Sequence, residues 1–178
     1  EQRTCGNVAI EDRESFFCKG INAELFSKAF FAAASSIMKR RGVYREFVVD
    51  DDNRDFLQQL YFYMAQDKRC KWHHGKGIFL GGKIGCGKTL VMQAYCEVLH
   101  FACAKIVKTV RATEIYDYIR NDKFDMLTKG PLLLDDVGRE ATEVNTFGNV
   151  VHPFCELMER KMPLNSQSKV LIAKLTGG

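Results

Sequence analysis

Proline is scarce in this chain, three in 178 residues, tryptophan occurs once, and aromatic residues make up 11%. So little proline excludes a proline-rich linker or a collagen-like repeat, and 46% apolar residues exclude a chain too polar to build a core. A charge of one sign is also missing. The 26 Lys and Arg face 22 Asp and Glu, so the net charge of +4 is modest. Long apolar runs are short of what a membrane needs: the stretch Ala29 to Ala34 stops at Ser35-Ser36, against the roughly 20 residues that cross a bilayer. No basic segment followed by an apolar one opens the chain. The expectation is a soluble, cytoplasmic protein with no membrane partner, built as one compact domain with a small appendage. The seven cysteines form no C-x-x-C pair, and an odd count at this length argues against a disulfide framework. The nearest approach to a metal cluster, Cys70-Lys-Trp-His73-His74, crowds its ligands together with no second pair at zinc-site spacing, and reads as a polar linker.

What is present is a change of period along the chain. From Asn22 the apolar positions Phe26, Phe30, Ala33 and Ile37 recur at helical spacing, with Asn22 as the N-cap, Lys39, Arg40 and Arg41 in the last turn and Gly42 as the stop. A second helix is expected after Asp52, with Asp55 in its first turn and Phe56, Leu57, Leu60, Tyr61 and Met64 on one face. Beyond a polar stretch, Gly77-Ile-Phe-Leu80 reads as a short buried strand, then glycines, then a helix over Thr89 to Leu99. Ala104 to Val110 reads as a strand, Thr113 to Arg120 as a short helix, Leu132 to Leu134 as a strand, and Val170 to Ala173 as another. Between the last two, Phe147, Val150, Val151, Phe154, Leu157 and Met158 carry a helical pattern that Pro153 must begin or kink. Strands alternating with helices imply a parallel sheet flanked by helices. The division expected is an N-terminal helical segment over 1–51 and an α/β core over 52–178.

The most specific run is Gly82-Lys83-Ile84-Gly85-Cys86-Gly87-Lys88-Thr89, a full match to G-x-x-x-x-G-K-[ST], with a strand before it and a helix starting through Leu90 after it. Glycines let successive N–H groups turn inward around an anion, and the helix that follows presents its positive end to phosphate. Lys88 would reach the terminal phosphates and the Thr89 hydroxyl would bind Mg²⁺. Cys86 contributes its backbone and its thiol is incidental. Such a site needs an acidic residue at the end of a neighbouring apolar strand, and Pro131-Leu-Leu-Leu-Asp135-Asp136 supplies it. Asp135 is the candidate for Mg²⁺. Asp136 is the candidate to orient or deprotonate a water, and with Lys88 it forms the candidate catalytic set. A pair of carboxylates capping a loop is the bland alternative, which the glycine loop makes less economical.

These residues, Gly77 to Leu90 and Leu132-Leu-Leu-Asp-Asp-Val-Gly-Arg-Glu140, resemble the AAA+ P-loop ATPases of the bacterial helicase-loader group and the ATPase subunits of insertion-sequence transposition. The resemblance spans about residues 53 to 174. It implies a sheet in the order 5-1-4-3-2, ATP with Mg²⁺ as cofactors, and homo-oligomeric assembly in which a neighbour supplies an arginine to the γ-phosphate; Arg139 and Arg160 are the candidates. It further implies a replicative helicase or a transposition protein as partner. Asp136 stands where many AAA+ proteins carry Glu, Thr176 is the one candidate for the polar sensor after the fourth strand, and a core lacking its C-terminal lid is expected because no fifth strand follows Gly178. Six basic residues and no acidic one between Lys68 and Lys88, with Trp72, His73 and His74 among them, are compatible with single-stranded DNA. The function expected is an ATP-binding, ATP-hydrolysing subunit that loads or remodels a DNA-bound partner. The alternatives are a small-molecule kinase using the same loop and a nucleotide-bound adaptor without turnover.

Overall fold

The computed structural model describes residues 17–18, 20–83, 85–138, 143–146, 149–161 and 170–174. Helix α1 (Ala23–Arg40) is capped by Asn22, whose side chain accepts from the Leu25 N–H at 2.7 Å. Helix α2 (Asp51–Ala65) starts two residues earlier than expected. Asp50 and Asn53 form a reciprocal capping box, so Asp51 and Asp52 occupy the first turn and meet the positive helix end. Strand β1 (Ile78–Leu80) leads through the glycine loop into α3 (Lys88–Cys103). Ala104, at φ 52°, ends α3, with the Lys105 N–H returning to Leu99 O at 2.9 Å. That left-handed cap occupies the residues expected to begin the next strand, and β2 (Lys108–Arg111) therefore starts four residues later than Ala104. A 3₁₀ turn (Ala112–Glu114) precedes α4 (Ile115–Arg120), and a one-turn helix, α5 (Asp125–Thr128), precedes β3 (Leu132–Val137).

The apolar pattern over residues 147–158 is not one helix. Strands β4 (Val144–Thr146) and β5 (Asn149–Val151) pair antiparallel, α6 (Pro153–Lys161) begins at the proline itself, and Phe147 lies outside the described residues. Pro153 disfavours helical angles in the residue before it, so the helix cannot run back through Val150 and Val151, whose branched side chains suit a strand. Strand β6 (Val170–Lys174) completes the main sheet, in which β1, β6, β3 and β2 lie side by side, all parallel. With β6 counted as the fourth sheet strand this is the order 1-4-3-2 within the expected 5-1-4-3-2. Positions Arg139, Glu140, Ile84 and Thr176 lie outside the described residues.

Strand β3 divides the core. Leu132, Leu133 and Leu134 are all fully buried, but alternate side chains leave opposite faces of a strand. Leu133 joins Ile78, residues of α1 and α2, and Met92, Tyr95 and Val98 of α3. Leu132 and Leu134 join Val110, Ile115, Phe124, Leu127 and Leu157 on the other side. The sheet is thus sandwiched between helices, and a continuous apolar run, rather than an alternating one, is what a strand buried on both faces requires. Helix α1 packs directly on α3, and its buried Phe30, Ala34 and Ile37 belong to the same apolar cluster as Met92, Tyr95 and Val98 of α3. Two polar links flank that contact: Arg40 pairs with Glu97, and the Arg41 guanidinium donates to Gln93 Oε1 at 2.7 Å. Cys18 is disulfide-bonded, while Cys70, Cys86, Cys96 and Cys155 are free thiols.

Candidate functional site

At the end of β1 the backbone enters conformations that side chains resist. Gly85 and Gly87 sit at φ 82° and 88°, and a Cβ built at either would meet nothing within 4 Å. The loop is therefore open on that side as well as left-handed. Gly87 then serves as the N-cap of α3 without a side chain to satisfy the first amides. The helix ladder begins with the Val91 N–H on Gly87 O at 3.0 Å, so the amides of Lys88, Thr89 and Leu90 have no acceptor within the helix. An array of free N–H groups at the positive end of a 16-residue helix can hold an anion. Lys88 closes the loop from within: its side chain is buried, and Nζ donates to the carbonyls of Gly82 and Lys83 at 2.6 Å each and approaches Cys86 Sγ at 3.4 Å.

The second half of the arrangement comes from β3. Thr89, in the first turn of α3, donates its hydroxyl to Asp135 Oδ1 at 2.9 Å across 46 positions of sequence. Asp135 is buried, and the same oxygen accepts the Asp136 N–H at 3.0 Å. The ladder is irregular at the two acidic residues. Between Leu134 and Val137 strand β3 advances three residues while β6 advances two, from Ile172 to Lys174, so a bulge falls on the acidic pair. Asp136 absorbs it with φ 56°, an uncommon conformation for a residue with a side chain, and is left partly exposed beside its buried neighbour. The hydroxyl of Thr89 and the carboxylate of Asp135 could together hold a divalent cation at the edge of the anion-binding loop, with remaining positions left for water and phosphate oxygens. Open space over the left-handed glycines, three amides without an acceptor within the helix and a hard oxygen pair are a donor set that fits a magnesium-bound polyphosphate.

A cavity of about 440 Å³ adjoins this pair, lined by Thr89, Asp135 and Asp136 and by residues that the sequence pattern did not single out for chemistry. Arg41 and Gln93 reach it from α1 and α3, and Thr109, Arg111 and Glu114 from the end of β2 and the turn that follows. Only the strand order reveals them: β2 lies beside β3 with Arg111 in register with Asp135. Arg111 is engaged by Glu114, Nε to Oε1 at 3.4 Å, and its N–H donates to Glu114 Oε2 at 3.1 Å.

Other candidates are placed elsewhere. Arg160 is paired with Asp125 and Glu156 at 3.4 and 2.7 Å and lies over the Phe124 ring, on the far helical layer. In the basic stretch, Arg69 is tied to Asp67 at 2.7 Å, and hydrogen bonds from its guanidinium and backbone hold the Asp67 carboxyl down at about 2. Lys71 is tied to Asp55 at 3.0 Å, and Trp72 packs against Phe56 and Tyr63, so that ring belongs to the helical core rather than to an open stacking platform.

No protein-family model matches the chain, and no curated protein matches it in sequence. Solved structures do. DnaA from Aquifex aeolicus bound to AMPPCP matches with a TM-score of 0.52 at 20% identity, over 73% of this chain and 40% of that one. A replication initiator DnaA bound to AMPPCP and single-stranded DNA matches with a TM-score of 0.50 at 21% identity, over the same shares. A DNA replication initiation factor matches with 0.51 at 19%, again over 73% and 40%. The chain spans about two fifths of the length of these structures. At such identities the likeness is one of fold: the matched part of the chain shares its architecture with these structures. Among the described residues no helix is long and apolar enough to cross a membrane.

Proposed function

We propose that the chain binds ATP with Mg²⁺ and hydrolyses it as an AAA+-type subunit that loads or remodels a DNA-bound partner, such as a replicative helicase or a transposition protein. One observation carries the nucleotide part: the Thr89 hydroxyl meets the Asp135 carboxylate at 2.9 Å, joining the glycine loop to the acidic strand end. In this reading the amides of Gly85 to Leu90 take the phosphates, and Lys88 exchanges its contacts with the Gly82 and Lys83 carbonyls for phosphate oxygens. Thr89 and Asp135 supply oxygens to the cation, whose part would be to neutralise charge on the phosphates. Asp136, partly exposed at the bulge and lining the same cavity as Asp135, orients the attacking water or accepts its proton. The DNA-related part is supported by the shared fold with a DnaA solved with AMPPCP and single-stranded DNA. Assembly into homo-oligomers belongs to the same reading, with an arginine of a neighbouring copy completing the site.

Titration with Mg·ATP tests the nucleotide part directly. Saturable binding by the wild type and a loss of at least about tenfold in Lys88→Ala, which removes the buried ammonium at the loop, is the expected result. Equal binding by the variant, or none by the wild type, overturns it. Turnover that rises when a replicative helicase and single-stranded DNA are added supports the loader part; turnover raised instead by a small-molecule phosphate acceptor would make the chain a kinase.

A further inference from the structure

Arg41 occupies an unusual position among the cations of this chain. It is the first residue beyond α1, its N–H bonded back to Ile37 and Met38, and its side chain crosses to α3 and lines the cavity beside Asp135. The residue it grips, Gln93, lies four positions after Thr89. Positions i and i+4 share one helix face, about 6 Å apart along the axis, so the guanidinium is held one turn from the hydroxyl that meets Asp135. Gln93 is neutral. The neighbouring cations have carboxylates: Arg40 pairs with Glu97 and Arg111 with Glu114. Among the described residues no carboxylate lies within ion-pairing distance of Arg41, although it shares a cavity with Asp135 and Asp136. A cation and a carboxylate pair facing one cavity without touching leave room for a group that complements both, namely an anion carrying a divalent cation.

We propose that Arg41 is a γ-phosphate contact supplied by the same chain that holds the nucleotide, and that it makes the site distinguish nucleoside triphosphate from diphosphate. The inference rests on the nucleotide reading above. Arg41 is anchored: helix α1 packs on α3, its buried Phe30, Ala34 and Ile37 share one apolar cluster with Met92, Tyr95 and Val98 of α3, and the Gln93 bond fixes one arm of the guanidinium. The other N–H groups of its fork remain to meet phosphate oxygens, and little ordering cost is left to pay when they do. A hydrogen-bonded cation on a terminal phosphate corresponds to about a tenfold to hundredfold difference in affinity.

The test compares Mg·AMPPNP with Mg·ADP by calorimetric titration of the full chain. Arg41→Ala should weaken AMPPNP about tenfold or more and change ADP less than twofold. Arg41→Lys, which keeps the charge and loses the fork, should fall between. Arg40→Ala breaks the adjacent link between the same two helices without touching the cavity, and should leave the ratio of the two affinities unchanged. If Arg41→Ala fails to fold, Arg41→Lys and Arg41→Gln carry the comparison. An unchanged ratio in the Arg41 variants, a parallel loss for both nucleotides, or the same change in Arg40→Ala overturns the inference and makes Arg41 a clamp between helices. Wild-type binding of both nucleotides keeps the nucleotide reading standing in those cases; binding of neither sinks both.

Discussion

Replacing Thr89 by Val probes the joint on which the whole site depends. The change swaps a hydroxyl for a methyl of similar shape, so it removes one hydrogen bond and little packing. That bond runs from Thr89 Oγ1 to a carboxylate oxygen that is buried and has the Asp136 N–H as its other donor, at 2.9 and 3.0 Å. Bonds to a charged acceptor contribute about 1.5–3 kcal/mol, and because Thr89 is only half-buried the lower end applies, about 1.5 kcal/mol for Thr89→Val. Asp135→Asn keeps an oxygen for the hydroxyl but makes the bond neutral, which leaves roughly half of that strength. In the double variant the Thr89 contribution has already gone, so the two changes should couple by about 0.5–1 kcal/mol. Urea unfolding of the four proteins without nucleotide measures this, and the thermal midpoint should move by about 2–4 °C for each kcal/mol in a chain of this size. Coupling below about 0.3 kcal/mol, within the error of additivity, would mean that the hydroxyl and the carboxylate do not meet in solution. The glycine loop and the acidic strand would then be separate features, with no cation shared between them.

Asp136 separates chemistry from stability: Asp136→Asn, which tolerates the left-handed φ of 56°, should unfold within about 0.5 kcal/mol of wild type, whereas Asp136→Val should cost about 1–2 kcal/mol. In the same Asp136→Asn protein, nucleotide affinity should persist while turnover, assayed with DNA and helicase present, drops about 10²-fold; retained turnover would remove Asp136 from the catalytic set. Alkaline pH should weaken the fold through α3: burial, with Glu97 adding, pushes the Cys96 thiol up to about 12, and burial raises the Tyr95 hydroxyl far above its ordinary value. Folded-state values above the unfolded ones mean that stability is fully present below about pH 9 and is lost as pH rises from there through 12. Urea midpoints between pH 7 and 11 check this, and Cys96→Ala should flatten the decline; a decline of equal slope in the variant would refute the thiol's part.

Much of this protein is determined locally. Asn22 and Gly42 bound α1 as expected because an N-cap side chain and a glycine at φ 74° act on their immediate neighbours. The glycine loop and the apolar strand ending in two aspartates are legible for the same reason, each being a requirement on consecutive residues. Tertiary structure decided what depends on neighbours in space. The bulge that lets neighbouring Asp135 and Asp136 line one cavity exists only because β6, some 35 residues on, advances one residue fewer than β3. The apolar spacing over 147–158 imitated a helix, and the pairing of β4 with β5 together with Pro153 resolved it. Trp72 looked like a stacking ring among cations until Phe56 and Tyr63 enclosed it. Arg41 read as a cation serving the end of its own helix, a local role that the sequence supports by itself. Its place beside Asp135 follows from α1 lying on α3 and from β2 lying beside β3, long-range packings chosen by buried apolar surface, which carry no mark at position 41.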